Sequence, residues 1–397
     1  MTQTPRLAPG ITFLNAELRK GEFTSLRIVG PRIASLGEDP GRGDSIIDLQ
    51  GDRVLPGLIN AHDHLQLNSL PNPRTDKRYQ HVREWIADVN LRRQHDPEFE
   101  SSIAVARDER LLLGGMKNLL SGVTTVAHHD PYYPWLSSAE FPTGVVRDYG
   151  WSHSLYVDGD DKVAGSCRAT PGDWPWIIHA AEGLDDASNH EFDRLDALGC
   201  LGPNTLLVHG VALDQVQRMR LDRAGAGLIW CPSSNLRLFG RTADVSELAD
   251  RGRVALGTDS RMSGGRDLLD ELCLVDRLGV LSEDCCESLV TKDSARLLRL
   301  HDRGEIRVGA RADILVLPAQ SRLGAVTRSN VRLVLIAGVA RYGDMDYATC
   351  VSRHLEWSDI TVDGRTKVLD RVVADFMARA GVAEPGLDLA KTAGKAA

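Results

Sequence analysis

The chain of 397 residues has no run approaching the ~18 consecutive apolar residues of a membrane span. Met1 to Gly10 carries no basic stretch followed by an apolar one. Neither a membrane partner nor a secretory leader is expected, and the reading is a cytoplasmic protein. It also lacks a CxxC pair: Cys167, Cys200, Cys231, Cys273, Cys285, Cys286 and Cys350 are scattered and odd in number. A structural zinc ribbon and a disulfide framework are thereby excluded, and reduced thiols are expected. Basic residues are too few to reverse the acidic balance: 47 Lys and Arg stand against 55 Asp and Glu, net −8, with no basic stripe interleaved with aromatics. Nucleic acid is not an expected partner; a small molecule is. With no internal repeat or long linker, 42% hydrophobic and 26% charged residues, the chain is ordinary globular material for one large and one smaller domain.

What is present is a change of texture along the chain. The first fifty residues alternate short apolar runs with Gly, Pro and Asp, and the same texture returns over Gly304–Pro318 and Asn330–Arg341. These ends are expected to pair as one small β domain, residues 1–55 with 304–345. Between them, residues 56–303 alternate apolar runs with amphipathic helical stretches, the pattern of parallel βα units. Strands are expected over Val54–Ala61, Val123–His128, Trp151–Val157, Trp176–Ala180, Thr205–His209, Gly227–Cys231 and Val254–Thr258. Helices are expected over Phe99–Leu120, Asn189–Leu198, Leu213–Ala224, Asp267–Leu278 and Ser282–Leu298, the last capped by Ser282. The fold class is α/β, a (β/α)8-type TIM barrel with a β-sandwich built from both termini. Asp158 to Pro175 is too short for a full helix–strand passage, so one barrel strand is expected to be degenerate there. Residues 346–397 are expected to form a helical extension, with a helix over Val368–Ala380, and a fraying Gly/Ala/Lys tail.

Chemistry gathers where the apolar runs end. Leu55-Pro-Gly-Leu-Ile-Asn-Ala-His62-Asp-His64 delivers two histidines one residue apart, and strand alternation puts both on one face. At the C-terminal mouth of a parallel barrel, two inward imidazoles are natural ligands for a borderline metal such as zinc. HxH alone is weak. Its weight comes from three further runs that end in ligand-type residues: Trp176-Ile-Ile-His179-Ala-Ala-Glu182, Leu206-Leu-Val-His209 and Ala255-Leu-Gly-Thr-Asp259. Four such termini on one rim are hard to explain by packing. His81, His95, His190, His301 and His354 lack a partner pattern and are expected at the surface. His128, His129 and His153 stand near the mouth as lining, supporting or core residues. Asn235 either orients a substrate or completes a turn, and Cys231 is expected to be structural.

The motifs PGLINAHDH, HAAEG, LLVHGVAL, WCPSSN and LGTDS, in this order over roughly Leu7 to Tyr342, resemble the amidohydrolase superfamily, and within it the nucleobase and triazine deaminase and chlorohydrolase branch. The resemblance implies one divalent metal, zinc with Fe2+ as the alternative, held by His62, His64, His179 and Asp259. It implies that Glu182 carries protons, that His209 polarises or positions the attacking oxygen, and that Asp259 shares the base role. The chemistry agrees, because zinc makes a hydrolytic water acidic near pH ~7 and a carboxyl three residues beyond a ligand can protonate a departing amine. Asn235 and His129 are the expected substrate contacts. Relatives with two metals use a bridging lysine, whereas the only lysine between Asp130 and Ala180 is Lys162, in a Gly/Asp-rich loop.

Three readings follow. The first is hydrolytic deamination of a nitrogen heterocycle or amidine-like compound. The second keeps the same site but opens a cyclic or linear amide, or displaces chloride. The third is a non-catalytic barrel whose histidines keep a structural metal, against which an intact Glu182 argues. Trp85, Trp151, Trp174, Trp176 and Trp230 could wall a planar substrate, and Arg261 and Arg266 could meet an anionic group. The assembly is left open, a homodimer included.

Overall fold

The computed structural model describes residues 9–73 and 76–389, so the expected tail beyond 389 lies outside the described residues. Both ends of the chain build one sheet, with strands β1 (Ile11–Arg19), β2 (Glu22–Val29), β3 (Arg32–Leu36), β4 (Ser45–Asp48) and β5 (Arg53–Pro56) from the N-terminal side. Further strands follow in the interior: β6 (Leu58–Asp63), β7 (Val123–His128), β8 (Gly144–Val145), β9 (Gly150–Ser154), β10 (Trp176–Ala180), β11 (Thr205–His209), β12 (Gly227–Trp230) and β13 (Val254–Leu256). The C-terminal side adds β14 (Ile314–Leu317), β15 (Leu333–Ile336), β16 (Val339–Gly343), β17 (Trp357–Val362), β18 (Arg365–Asp370) and β19 (Leu387–Leu389).

The terminal sheet runs β19-β17-β18-β16-β15-β14-β5-β1-β2-β3, with β4 beside β1. Its two halves meet where β14 lies antiparallel to β5, Leu315 opposite Leu55. Residues 346–389 are less helical than expected, because β17 to β19 extend this sheet and the helix begins only at Arg371, capped by Asp370.

The interior strands form two parallel arrays, β13-β12-β11-β10-β9 and β6-β7-β8. β6, β7, β10, β11, β12 and β13 are buried at every residue. That is why they read as continuous apolar runs: parallel strands are covered on both faces. At one seam Thr258 N and Asp259 N donate to the His62 carbonyl at 3.0 and 3.1 Å, bringing β13 against β6. Gly257 permits this approach, since a Cβ there would sit 2.7 Å from His62 Cβ.

Several local expectations shift, among them the strand over Trp151–Val157, which stops at Ser154 where a helix Leu155–Asp158 begins. The weak strand is β8, two residues at Gly144–Val145, while Asp158–Pro175 holds a helix over Asp160–Ala169. The helix expected over Phe99–Leu120 is two, Pro97–Ala104 and Arg107–Leu120, separated by the extended pair Val105 and Ala106. Ser282 does cap its helix through Cys285 N, but that helix stops at Leu289 and a second spans Lys292–Leu297. At the break Thr291 and Ser294 donate their hydroxyls back to the Glu287 and Leu289 carbonyls, a competition that interrupts helical text.

Candidate active site

The C-terminal ends of these strands converge on one cluster. The pleat of β6 turns His62 and His64 one way and Asp63 the other, where Asp63 Oδ2 accepts from Asn118 at 2.9 Å and meets Lys117 Nζ at 3.2 Å. Lys117, fully buried, also donates to Asn68 Oδ1, Thr258 Oγ1 and the Asp259 carbonyl at 2.8, 2.9 and 3.0 Å. This polar floor holds the HxH segment and the Asp259 turn as one unit. Burial lowers the affinity of the Lys117 amine for its proton, and Asp63 opposes that shift.

Above the floor, His179 Nε2 lies 3.3 Å from both His62 Nε2 and His64 Nε2, and Asp259 Oδ1 lies 3.8 Å from each of the latter. Donors about 2.1 Å from a common cation at tetrahedral angles are about 3.4 Å apart, so this set fits one divalent metal. Tautomers are set by the outer ring nitrogens: His64 Nδ1 faces Asp130 Oδ2 at 2.7 Å and His179 Nδ1 faces the His153 carbonyl at 2.8 Å. Each is left with Nε2 toward the centre. Asp259 Oδ2 is occupied by the Ser234 and Ser263 hydroxyls at 2.9 and 2.7 Å, which turns Oδ1 to the histidines.

His129 joins the cluster. Its ligand-type nitrogen falls within the 4.8 Å that spans those of His62, His64 and His179. Its Nε2 faces the Ser152 carbonyl at 3.0 Å, so Nδ1 keeps a lone pair, and that atom is buried without a hydrogen-bond partner. Burial drives His62, His129 and His179 well below the ordinary imidazole range, leaving them neutral, as a ligand must be. Burial pulls His64 down too, but the Asp130 charge and hydrogen bond, with Asp259 and Asp63, outweigh it and hold the free imidazole at about 9.

Glu182 and His209 meet beside this centre, Oε1 to Nε2 at 3.4 Å, both buried. His209 Nδ1 faces Asn235 Oδ1 at 2.8 Å, so Asn235 orients His209. Burial, then the charges of Asp259 and Glu191, raises Glu182 well above the ordinary carboxyl range, and burial lowers His209. A carboxyl whose affinity for a proton is raised beside an imidazole is equipped to accept a proton and pass it on. Ala181, His209 and Asp259 adopt φ of 53°, 75° and 53°. Left-handed backbone costs a non-glycine residue about 1–2 kcal/mol, and three such residues ring one site.

The sequence-predicted residues His62, His64, His179, Glu182, His209, Asn235 and Asp259 thus lie together, with His129 among the metal-type nitrogens. Asp130 and Lys117 are supporting residues that sequence reasoning missed; Asp130 stands two positions past the end of β7, where no spacing marks it. His81 is buried rather than at the surface, because its ring accepts Arg83 N at 3.1 Å and caps the helix Val82–His95. Trp176 and Trp230 are core residues whose indoles donate to Ser166 and Thr242. Arg261 and Arg266 are not open to an anion, being engaged by Glu384 and Asp363.

Comparison with known proteins finds a family match, relatives and solved structures of similar fold. The Amidohydrolase family matches residues 160–341. The chain is 25% identical to 5-methylthioadenosine/S-adenosylhomocysteine deaminase of Natronomonas pharaonis, over 86% of this chain and 92% of that one. Among solved structures it resembles a zinc-bound adenosine deaminase from Xanthomonas campestris, TM-score 0.68 at 18% identity over 88% and 98% of the two chains. It also resembles zinc-bound atrazine chlorohydrolase from Arthrobacter aurescens TC1, TM-score 0.67 at 18% identity over 83% and 94%. No described helix is long and apolar enough to cross a membrane.

Proposed function

The chain carries an amidohydrolase family domain, and from that premise we propose that it hydrolytically deaminates a nitrogen heterocycle or a related amidine-like small molecule. The observation that carries the reading is the junction of a metal-type donor set with a buried Glu182, whose affinity for a proton burial raises, against His209. His62, His64, His179 and Asp259 hold one divalent cation, zinc by the chemistry of three imidazoles and a carboxylate. When bound, that cation supplies a Lewis acid that makes a hydrolytic water acidic near neutral pH.

Glu182 Oε1 takes the proton of the attacking water and returns it to the departing amino nitrogen, which leaves as ammonia. His209, fixed by Asn235, directs its Nε2 at the same oxygen, and Asp259 shares the base role. His129, whose buried Nδ1 has no hydrogen-bond partner among the described residues, is a substrate contact. The deaminase named above supports an aminated heterocycle as substrate.

The two parallel arrays close as a (β/α)8 barrel over residues 56–303, with residues 9–55 and 304–345, extended by β17 to β19, as the companion β domain. The hydrogen bonds from Thr258 and Asp259 to His62 support that closure. The seven free cysteines support a reducing, cytoplasmic setting. The test is ammonia release over a panel of purines, pyrimidines, pterins and triazines. Product that gains one water with no ammonia, or chloride release, would replace the deaminase reading with another hydrolysis at the same site.

A further inference from the structure

Arg261, in the turn that follows Asp259, is tied by charge to Glu384, 123 positions further along the chain. Arg261, two residues past Asp259, is held on its backbone by the opposite wall: Arg261 N donates to Asn68 Oδ1 at 3.2 Å and its carbonyl accepts from Asn72 at 2.8 Å. Its guanidinium points the other way. Nη1 and Nη2 donate to the two oxygens of Glu384 at 2.9 and 2.5 Å, and Nε donates to the Arg266 carbonyl at 2.8 Å, stapling the turn across its width. Glu384 is fully buried and also accepts from Arg328 Nη1 at 2.7 Å. Arg328 in turn donates to Asp267 Oδ2 at 2.6 Å, and Asp267 caps the helix Leu268–Leu278 that closes the turn.

Four charges, Arg261, Arg328, Glu384 and Asp267, are thus balanced in the interior. Burying them is costly, and well-packed apolar residues would fasten a terminal segment as firmly. What an apolar strap lacks is direction: a bidentate guanidinium–carboxylate pair fixes both distance and angle. The segment fixed in this way contains Ser263, whose hydroxyl occupies Asp259 Oδ2.

We propose that Glu384 is a positioning residue for Asp259. Through Arg261 it holds the 260–267 turn so that Oδ1 of Asp259, in a left-handed backbone, stays aimed at His62 and His64. The C-terminal segment, outside the family-matched residues 160–341, is in this way part of the active site's construction. The proposal rests on the reading of Asp259 as a metal ligand.

The test compares full-length chains carrying Arg261→Met, Glu384→Gln and, as a control, Asp44→Asn, which cuts the buried Arg27–Asp44 pair in the terminal sheet. Arg261→Met severs the tether yet leaves Glu384 paired with Arg328, so it keeps the test alive if Glu384→Gln fails to fold. Zinc affinity is measured by chelator competition, and hydrogen exchange over residues 260–267 by mass spectrometry. Arg261→Met and Glu384→Gln are each expected to weaken zinc binding about tenfold and to speed exchange in the turn. Asp44→Asn is expected to lower stability and change neither. Unchanged affinity and exchange in Arg261→Met would overturn the proposal, as would an equal loss of affinity in the control. If the unaltered chain binds no zinc, the functional reading fails, and the exchange measurement still decides whether Glu384 holds the turn.

Discussion

Replacing Asp130 by asparagine tests whether the carboxylate behind His64 strengthens the metal centre. Asp130 Oδ2 meets His64 Nδ1 at 2.7 Å, a charge-assisted contact with His64 nearly buried and Asp130 about one-fifth exposed. Such hydrogen bonds contribute about 1.5–3 kcal/mol, roughly twice a neutral one. Asparagine can keep an acceptor in the same place, so about half is lost, and partial exposure favours the low end: ~0.8–1 kcal/mol, or about a fivefold weaker metal affinity. The loop should stay in place, because the Tyr149 hydroxyl donates to the carbonyls of His128 and Asp130, which the substitution leaves intact. The assay is competition for zinc between the apoprotein and a chromophoric chelator at neutral pH, with far-ultraviolet dichroism to check the fold. An affinity unchanged within a factor of about two would refute the argument that the Asp130 charge raises the donor strength of His64.

Three further outcomes are expected. Glu182→Gln removes the proton carrier while preserving shape, so turnover should fall about 10²–10⁴-fold with metal content unchanged, as read by ammonia release and elemental analysis. Gly257→Ala places a Cβ 2.7 Å from His62 Cβ and should destabilise the fold by about 1–3 kcal/mol in denaturant titration. Glu191, which accepts Ala181 N at 2.8 Å, is raised to about 7, chiefly by burial. A carboxyl raised in the folded state costs stability as pH climbs from its unfolded value of about 4.3 to about 7, so the unaltered chain should lose stability over that window and Glu191→Gln should lose less.

How much of this was written in the sequence depends on burial. β10 and β11 were legible residue for residue, since both faces are covered and their apolar runs stop where a histidine is needed. The pleat likewise made His62 and His64 legible as a pair. β8 was not, because two residues carry no periodicity, and the weakness was sought downstream, where a helix of ordinary polarity stands. Breaks at Val105 and Thr291 escaped for a related reason: neither has the Gly or Pro that marks a helix end. Asp130, Lys117 and Glu384 were invisible as site residues, since each acts through a contact made only after distant segments fold together. The same is true of Arg261, whose charge suggested an anionic ligand but is satisfied within the chain.

The most direct test of the account is metal per chain measured together with ammonia release, on the unaltered protein and on Glu182→Gln. The account predicts one divalent metal in both, and ammonia from an aminated heterocycle in the unaltered protein alone. A chain that holds no metal after reconstitution, or ammonia release that survives in Glu182→Gln, would contradict it.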